Sequence, residues 1–339
     1  MNNTTQKDRQ KKKVTNIGIV GVGDVVYKSH LPTLLAMNDI SVAWVTDRDH
    51  NRAEQVARSY RVKCLRLPEQ LTALPYTDIA LLAIPYGARA PYYEVLRHRG
   101  SALYVEKPIS RSADEHRQLC SLFSPSRLAV GLQRRSWGPV VLLKKLVDES
   151  VFGRLVRVEL KYGGSAIVTS GKPFVSDAKL AGGGVLFEHG IHGLDMVLYI
   201  SGAGRAHSYQ VKTIIEKGFD VHAEGQVTLT NVSNEFVMDF KISWLSEMAE
   251  GLTFIFDHAV VNMSVREPRI LIKSHEGRVL MSLTSSDIIY PITGFQTLWE
   301  YWASFLTAVQ SGTANHTSAD TSLLTTELIE QIYTQGGRQ

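Results

Sequence analysis

The sequence predicts a two-part fold: an α/β unit with a doubly wound parallel sheet, then an α+β unit built on a mostly antiparallel sheet. Three observations predict it. Up to Leu132, short apolar strands alternate with helical stretches; the turn Gly21-Val22-Gly23 interrupts the first strand-to-helix step; and beyond Arg135 strand candidates follow one another with few helices between.

Asn16 to Val20 reads as a short buried strand, and Tyr27 to Met37 as a helix with Pro32 near its start. Ser41 to Thr46 is a second strand, and Asp49 to Tyr60 a helix with an acidic first turn. Asp78 to Ile84 and Ala102 to Val105 are further strands, separated by a helix near Pro91 to His98, and Arg127 to Leu132 closes the sheet. The second part opens with a helix from Pro139 to Glu149. Arg154 to Tyr162 then alternates in side-chain character as an antiparallel strand does. Strand candidates continue at Val211 to Ile215, Glu224 to Thr230, Phe236 to Ser243, Leu252 to Phe256, Val260 to Ser264 and Ile270 to Lys273. Two helices end the chain, Thr297 to Gln310 and Asp320 to Tyr333. The expected division is a basic leader over 1–13, a dinucleotide-binding domain over 14–133 and a substrate-binding and oligomerisation domain over 134–334.

At 339 residues, two cores can be buried, and 44% hydrophobic with 21% charged residues is an ordinary globular composition. The net charge of +4 arises in the leader, where Lys7, Arg9, Lys11, Lys12 and Lys13 stand against Asp8. The rest is balanced, which argues against a nucleic-acid surface. The leader lacks an apolar core of the secretory kind and reads as a disordered tail. No apolar run reaches membrane-spanning length. Two cysteines, Cys64 and Cys120, suit a reducing cytoplasm better than a disulfide framework.

The glycine turn sits where a first glycine makes the bend and a second lets backbone N–H groups approach a pyrophosphate. Val26 occupies the place of the third glycine in G-x-G-x-x-G, which predicts looser packing of helix on strand. Asp47, at the end of the second strand, is placed to accept hydrogen bonds from an adenosine ribose, and a carboxylate there favours NAD over NADP. Arg48 beside it suits a 2′-phosphate instead, and a plain turn remains open for Asp47.

Tyr104-Val105-Glu106-Lys107-Pro108 ends a buried strand with a Lys, Pro stopping the strand because it lacks an N–H. After Gly182-Gly183-Gly184, a helix is expected to carry Glu188, His192 and Asp195 along one polar stripe, opposite an apolar stripe of Phe187, Ile191, Leu194 and Leu198. A polar stripe can simply face water; with Lys107 it can do chemistry. Oxidation of a secondary alcohol needs a base for the hydroxyl proton while hydride leaves carbon, and a neutral imidazole suits that near pH 7. His192 is that base, Lys107 stabilises the charge on the reacting oxygen, and Glu188 orients His192 or contacts a substrate hydroxyl. Glu188-His189-x-x-His192 lacks the spacing of H-E-x-x-H, so no metal is expected.

These features, in this order, resemble the Gfo/Idh/MocA family of glucose-fructose oxidoreductases and inositol dehydrogenases, over about residues 14 to 334. Lys107 matches the Lys of the family's Glu-Lys-Pro motif and His192 the His of its Asp-x-x-x-His motif, with Glu188 in place of the Asp. Ile84-Pro85-Tyr86 resembles the strand-end segment beside the nicotinamide ribose, often Thr-Pro-Asn. Gly131-Leu132-Gln133-Arg134-Arg135 resembles the crossing between domains, whose arginines reach a substrate oxygen or pair across the interface. The resemblance also places Lys161 and Lys172 near the substrate side, although plain solvated lysines are the reading that their residue type favours. The resemblance implies a Rossmann domain that binds NAD, with NADP second, through Gly21, Gly23, Asp24, Val25, Asp47, Arg48, Ile84, Pro85, Tyr86, Glu106 and Lys107. It implies substrate contacts from Lys107, Arg134, Arg135, Lys161, Glu188 and His192, a sugar, sugar derivative or cyclitol as substrate, and a homodimer or homotetramer. A non-catalytic nucleotide or sugar sensor is the competing reading, as is a redox-neutral NAD-dependent glycosidase or sugar-sugar oxidoreductase.

Overall fold

The computed structural model describes residues 14–164, 183–288 and 290–336. The basic leader, Lys172 and Gly182 lie outside the described residues.

Strands β1 (Thr15–Val20), β2 (Ile40–Thr46), β3 (Ile79–Leu82), β4 (Ala102–Val105) and β5 (Leu128–Val130) form an all-parallel sheet in the order β2-β1-β3-β4-β5. Ile-Ala-Leu-Leu and Ala-Leu-Tyr-Val, the central β3 and β4, are buried at every residue, as strands covered on both faces must be. The order reverses between β1 and β3, which opens a crevice beyond their carboxyl ends. Gly21, Asp47, Ala83, Glu106 and Gly131 each directly follow one strand, so all five project from that rim.

Helices α1 (Leu31–Leu35), α2 (His50–Tyr60), α3 (Ala90–His98) and α4 (Ala113–Leu122) flank this sheet. The first is entered through a π-helical turn, Val26–His30. Sequence periodicity did not mark α4, although Ser112, whose hydroxyl accepts from the Glu115 N–H, supplies an N-terminal cap.

After α5 (Gly138–Asp148) comes an eight-stranded sheet of β6 (Leu155–Gly163), β7 (Arg205–Glu216), β8 (Phe219–Thr230), β9 (Glu235–Ser243), β10 (Gly251–Phe256), β11 (Val260–Met263), β12 (Ile270–Lys273) and β13 (Val279–Leu283). Its order is β13-β12-β11-β10-β6-β9-β8-β7, antiparallel throughout except for the parallel pair β6–β9. The edge strand β13 lacks a half-buried alternation, because Val279, Leu280 and Met281 are all exposed, and so gave no period-2 signal. Helix α6 (Ile191–Ser201) lies against this sheet; a Cβ added to Gly193 would come within 2.9 Å of Leu160 and 3.3 Å of Tyr162.

The chain ends in α7 (Gly294–Ser311) and α8 (Leu323–Gln335). A capping box of Thr293 and Gln296 starts α7. Its apolar face, Leu298, Tyr301, Trp302, Phe305 and Leu306, belongs to the core of the first sheet, with Ile17, Ile19, Ile79 and Tyr104. Trp302 stacks on Tyr104 with ring centroids 4.4 Å apart. Residue order assigns the tail to the second unit, whereas packing returns α7 to the first. Among the described residues no helix is long and apolar enough to cross a membrane.

Candidate active site

The rim begins at the glycine turn. Gly21 has φ +91°, and a Cβ there would lie 2.4 Å from the Ala83 carbonyl oxygen, so only glycine fits between β1 and β3. Gly23 is the opposite case. A Cβ there would meet nothing within 4 Å, which leaves open space beside the backbone where a phosphate group can approach. The helix begins at once, with Val26 and Tyr27 donating to the Gly23 carbonyl, so its N-terminal N–H groups and dipole serve the same opening. Asp24 pairs with Lys28 at 2.8 Å on the exposed side of this turn, and Val25 is also exposed. The looser packing expected from Val26 does not occur. Val26 is fully buried, and the π turn widens the helix around it.

Asp47 is buried and clasps the turn: one carboxylate oxygen accepts from Val22 N–H at 2.9 Å, the other from Asp49 N–H at 2.9 Å. Each oxygen keeps a second lone pair for a ribose hydroxyl. Arg48, beside it, is exposed. At the end of β3, the Ile84 carbonyl accepts from Arg89 Nε at 2.8 Å, and Pro85 leads into a short turn over Tyr86–Ala88. The Tyr86 hydroxyl donates to the Glu115 carboxylate at 2.6 Å, and burial and then that carboxylate push its pKa up. Tyr86 therefore offers this rim its ring and backbone rather than a polar head.

Lys107 follows at the end of β4. Its ammonium donates to the Glu188 carbonyl oxygen at 2.7 Å and to the Glu188 carboxylate at 3.1 Å, which joins the rim of the first sheet to the second unit. Glu188 lies in a π-helical turn, Leu186–Gly190, that runs into α6. His192 stands in the first turn of α6, with Nδ1 shut off from water and without a hydrogen-bond partner. Burial, and then the charges of Lys107, Arg134 and His189, hold its pKa well below the usual histidine value. Both effects favour the neutral imidazole. His189 points elsewhere, its Nδ1 accepting from Trp244 Nε1 at 3.2 Å.

Three expected members sit differently. Asp195 does not extend the Glu188–His192 stripe; it is buried in a two-pronged ion pair with Arg135, at 2.6 and 2.8 Å, and also accepts from Thr325. Arg135 is equally buried, and donates further to the His316 carbonyl and to Thr321, so its guanidinium serves the packing of α6 on the tail and not the rim. Lys161 is exposed on β6 with Glu159 and Arg157 on its side, while Val158, Leu160 and Tyr162 are buried on the face that holds α6. It therefore projects from the sheet face opposite His192. Arg134, by contrast, stays with the site: its charge reaches His192, and its guanidinium donates to the Val265 carbonyl at 2.5 Å and lies over the Trp137 ring. The apolar and polar stripes expected of α6 also merge, since the helix is buried nearly all round.

Residues that periodicity did not single out hold this arrangement. Arg89, buried, bridges the Ile84 and Pro108 carbonyls. Asp220 accepts from the N–H groups of Gly184 at 2.7 Å and Leu186 at 2.8 Å, and from the Tyr333 hydroxyl, and so caps the turn that presents Glu188. A Cβ on Gly184 would come within 2.1 Å of the Asp220 carbonyl oxygen, which is the reason for that glycine. Glu106 is buried rather than facing the crevice; Gly131 leaves it room, because a Cβ there would lie 2.8 Å from both carboxylate oxygens.

Residues 15–132 match the family model described as oxidoreductase family, NAD-binding Rossmann fold, and residues 140–264 the GFO/IDH/MocA C-terminal domain. Among curated proteins the chain is 27% identical to a dTDP-3,4-didehydro-2,6-dideoxy-alpha-D-glucose 3-reductase of Streptomyces antibioticus, over 63% of this chain and 64% of that one. It is 26% identical to the inositol 2-dehydrogenase of Rhizobium meliloti, over 55% and 54% of the two chains, and 23% identical to the D-glucoside 3-dehydrogenase of Escherichia coli, over 57% of each. The match thus spans less than two thirds of each relative. An oxidoreductase domain protein from Kribbella flavida has the same fold, with TM-score 0.84 at 14% identity over 96% of this chain and 97% of that one. An aldose-aldose oxidoreductase from Caulobacter crescentus superposes with TM-score 0.80 at 15% identity, over 96% and 98%. With both family models matched in order, one to each unit, the chain is a member of the Gfo/Idh/MocA oxidoreductase family.

Proposed function

We propose that the protein is an NAD-dependent oxidoreductase that interconverts a secondary hydroxyl and a ketone on a sugar, sugar derivative or cyclitol. The observation that carries this reading is the Lys107 ammonium at the carboxyl end of β4, held by Glu188 four residues ahead of His192 and beyond a turn open for a pyrophosphate, with burial and then the charge of Lys107 lowering the His192 pKa. The nicotinamide, when bound, takes up or supplies the hydride. Gly21, Gly23 and Asp47 hold the dinucleotide. In the oxidising direction His192 takes the hydroxyl proton, and Lys107 hydrogen-bonds the same oxygen as negative charge develops on it. Two of the ammonium's three donors go to Glu188, which leaves one for that oxygen. Glu188 holds Lys107 in place and tempers its charge. Burial, then the charges of Lys107 and Arg134, hold the His192 pKa down and so favour its neutral, proton-accepting form.

Fluorescence titration with NADH and NADPH tests the cofactor, and a panel of sugars, nucleotide sugars and cyclitols tests the reaction, with Lys107→Met as control. Tighter NADH binding supports Asp47 as the discriminating group, and tighter NADPH binding transfers that role to Arg48. Binding of neither removes the cofactor on which the mechanism depends. Binding without turnover that is unchanged by Lys107→Met indicates a sensor instead. We also propose that the open face of the eight-stranded sheet, with Arg157, Glu159 and Lys161 outward, pairs copies of the chain into a dimer or tetramer in the cytoplasm; sedimentation velocity distinguishes these from a monomer.

A further inference from the structure

One fully buried group has no part in that mechanism. His30 ends the π turn after the glycine loop, and it is 1% exposed. Its Nε2 lies 2.8 Å from Glu106 Oε1, and its Nδ1 lies 3.0 Å from Trp302 Nε1 of α7. An indole N–H only donates, so Nδ1 is the acceptor and the ring proton is on Nε2, directed at the carboxylate. Glu106 Oε2 accepts in turn from the Lys107 backbone N–H at 3.2 Å. Gly131 closes over the carboxylate, and on the far side of Lys107 the Pro108 carbonyl is gripped by Arg89 at 2.5 Å. Lys107 is thereby held on both backbone flanks, and one of the clamps runs through three side chains drawn from three separate elements.

We propose that His30, locked in its Nε2–H tautomer by Trp302, is a positioning residue for Lys107 and acts through Glu106. The physical need is clear from the chain: Lys107 follows the last residue of β4 by two positions, past the ladder hydrogen bonds, where its backbone direction has to be fixed by something else. Burial raises the carboxyl pKa of Glu106, and the hydrogen bond from His30 with the charges of Lys107 and Arg89 more than offsets it, so the group remains an anion under the ammonium. Without the His30 donor, that buried carboxylate would be under-satisfied and would turn or take up a proton, and the lysine above it would lose its fixed base. The functional consequence rests on the role of Lys107 proposed above; the positioning does not.

The test separates the two. Acetylation of Lys107 is followed by mass spectrometry at fixed pH, without substrate, relative to Lys144, which is paired with Asp148 on α5 and reports general loosening. The Lys107/Lys144 ratio is expected to rise at least ~5-fold in His30→Leu and ~2-fold or more in Trp302→Phe, and to return towards wild type in His30→Gln, whose carboxamide restores a donor to Glu106. NADH affinity is expected to stay within ~2-fold, while turnover falls ~10-fold or more in His30→Leu with little change in KM, a loss typical of a catalytic group displaced by a fraction of an ångström. An unchanged acetylation ratio in both His30→Leu and Trp302→Phe overturns the proposal, and Trp302→Phe retains an aromatic core should His30→Leu fail to fold. A ratio raised in these variants, together with a wild-type protein that shows no turnover on any substrate, leaves the positioning in place and removes only the dehydrogenase reading.

Discussion

Lys107 and Glu188 meet across the two halves of the molecule, the ammonium 3.1 Å from the carboxylate and 2.7 Å from the carbonyl oxygen of the same residue. One residue thus engages the lysine twice. The side chain sets charge and the backbone sets position, which explains how Glu can stand where the family resemblance leads one to expect the shorter Asp. Lys107→Met and His192→Ala are each expected to reduce turnover by at least ~100-fold, since each removes a proton-transfer or charge-stabilising group. Glu188→Asp, which keeps the carbonyl contact, is expected to cost only about tenfold. Steady-state rates on whichever substrate the panel identifies decide this, and a near-normal rate in Lys107→Met or His192→Ala would falsify the assignment of that residue.

The two glycines of the turn predict opposite phenotypes. Gly23→Ala adds a methyl group to open space, so the melting temperature should stay within about 2 °C while NADH binding weakens at least ~10-fold, because the methyl occupies the approach to the backbone. Gly21→Ala drives a Cβ to within 2.4 Å of a backbone oxygen at a positive φ, so it should lower stability by about 2 kcal/mol or more. Thermal melts and nucleotide titrations of the two variants check the contrast. Equal loss of stability in both would mean that the loop is not shaped around a ligand.

The histidine base should work on the acid side of its ordinary range. Since burial and then the charges of Lys107, Arg134 and His189 depress its pKa, the acid limb of kcat/KM for alcohol oxidation should lie below about pH 6.5. Arg134→Gln removes one of the depressing charges, so that limb should move towards neutral pH. A pH–rate profile in which the variant shifts the other way would rule out His192 as the titrating group.

His116 provides a second pH handle, this time on stability. It is fully buried between α4 and the tail, with Nε2 against the Ala319 carbonyl and Nδ1 against the Thr326 hydroxyl, and burial pushes its pKa down to about 4. The unfolded chain takes up this proton near pH 6.5, and the folded chain does not until about 4, so the contribution is complete above pH 6.5 and is lost as pH falls towards 4. The loss amounts to about 3 kcal/mol across that window. Urea unfolding at a series of pH values should show the decline in the wild type and a flatter curve in His116→Gln. Equal slopes would place the acid sensitivity elsewhere.

Much of the rim was legible because it depends on local rules. Apolar runs ended by Gly21, Asp47 and Glu106-Lys107-Pro108 give away the carboxyl ends of parallel strands, and those ends are where the crevice must be. The stripe containing Asp195 was misplaced for an equally local reason. A π turn at Leu186–Gly190 advances the chain by less rotation per residue than an α-helix, so seven residues beyond Glu188 no longer return to its face, and Asp195 turns inward to Arg135. Lys161 is exposed, as a solvated lysine would be, and the substrate contact that the resemblance implied for it does not fit, because alternation along β6 tells which residues share a face but not which face carries α6. Nothing in a window of sequence could pair His30 with Trp302, which are 272 residues apart.

The return of α7 to the first sheet has a consequence for how the molecule is made. Ribosomes deliver the N-terminal half first, and a nucleotide-binding unit would ordinarily be able to close as soon as it has emerged. Here its core lacks Leu298, Tyr301, Trp302, Phe305 and Leu306 until the whole eight-stranded sheet has already been translated. Nascent chains halted before residue 294 would carry an uncovered apolar surface around Tyr104 and would depend on chaperones, and a stop codon just ahead of that residue would cripple the nucleotide-binding unit whose own strands it leaves untouched.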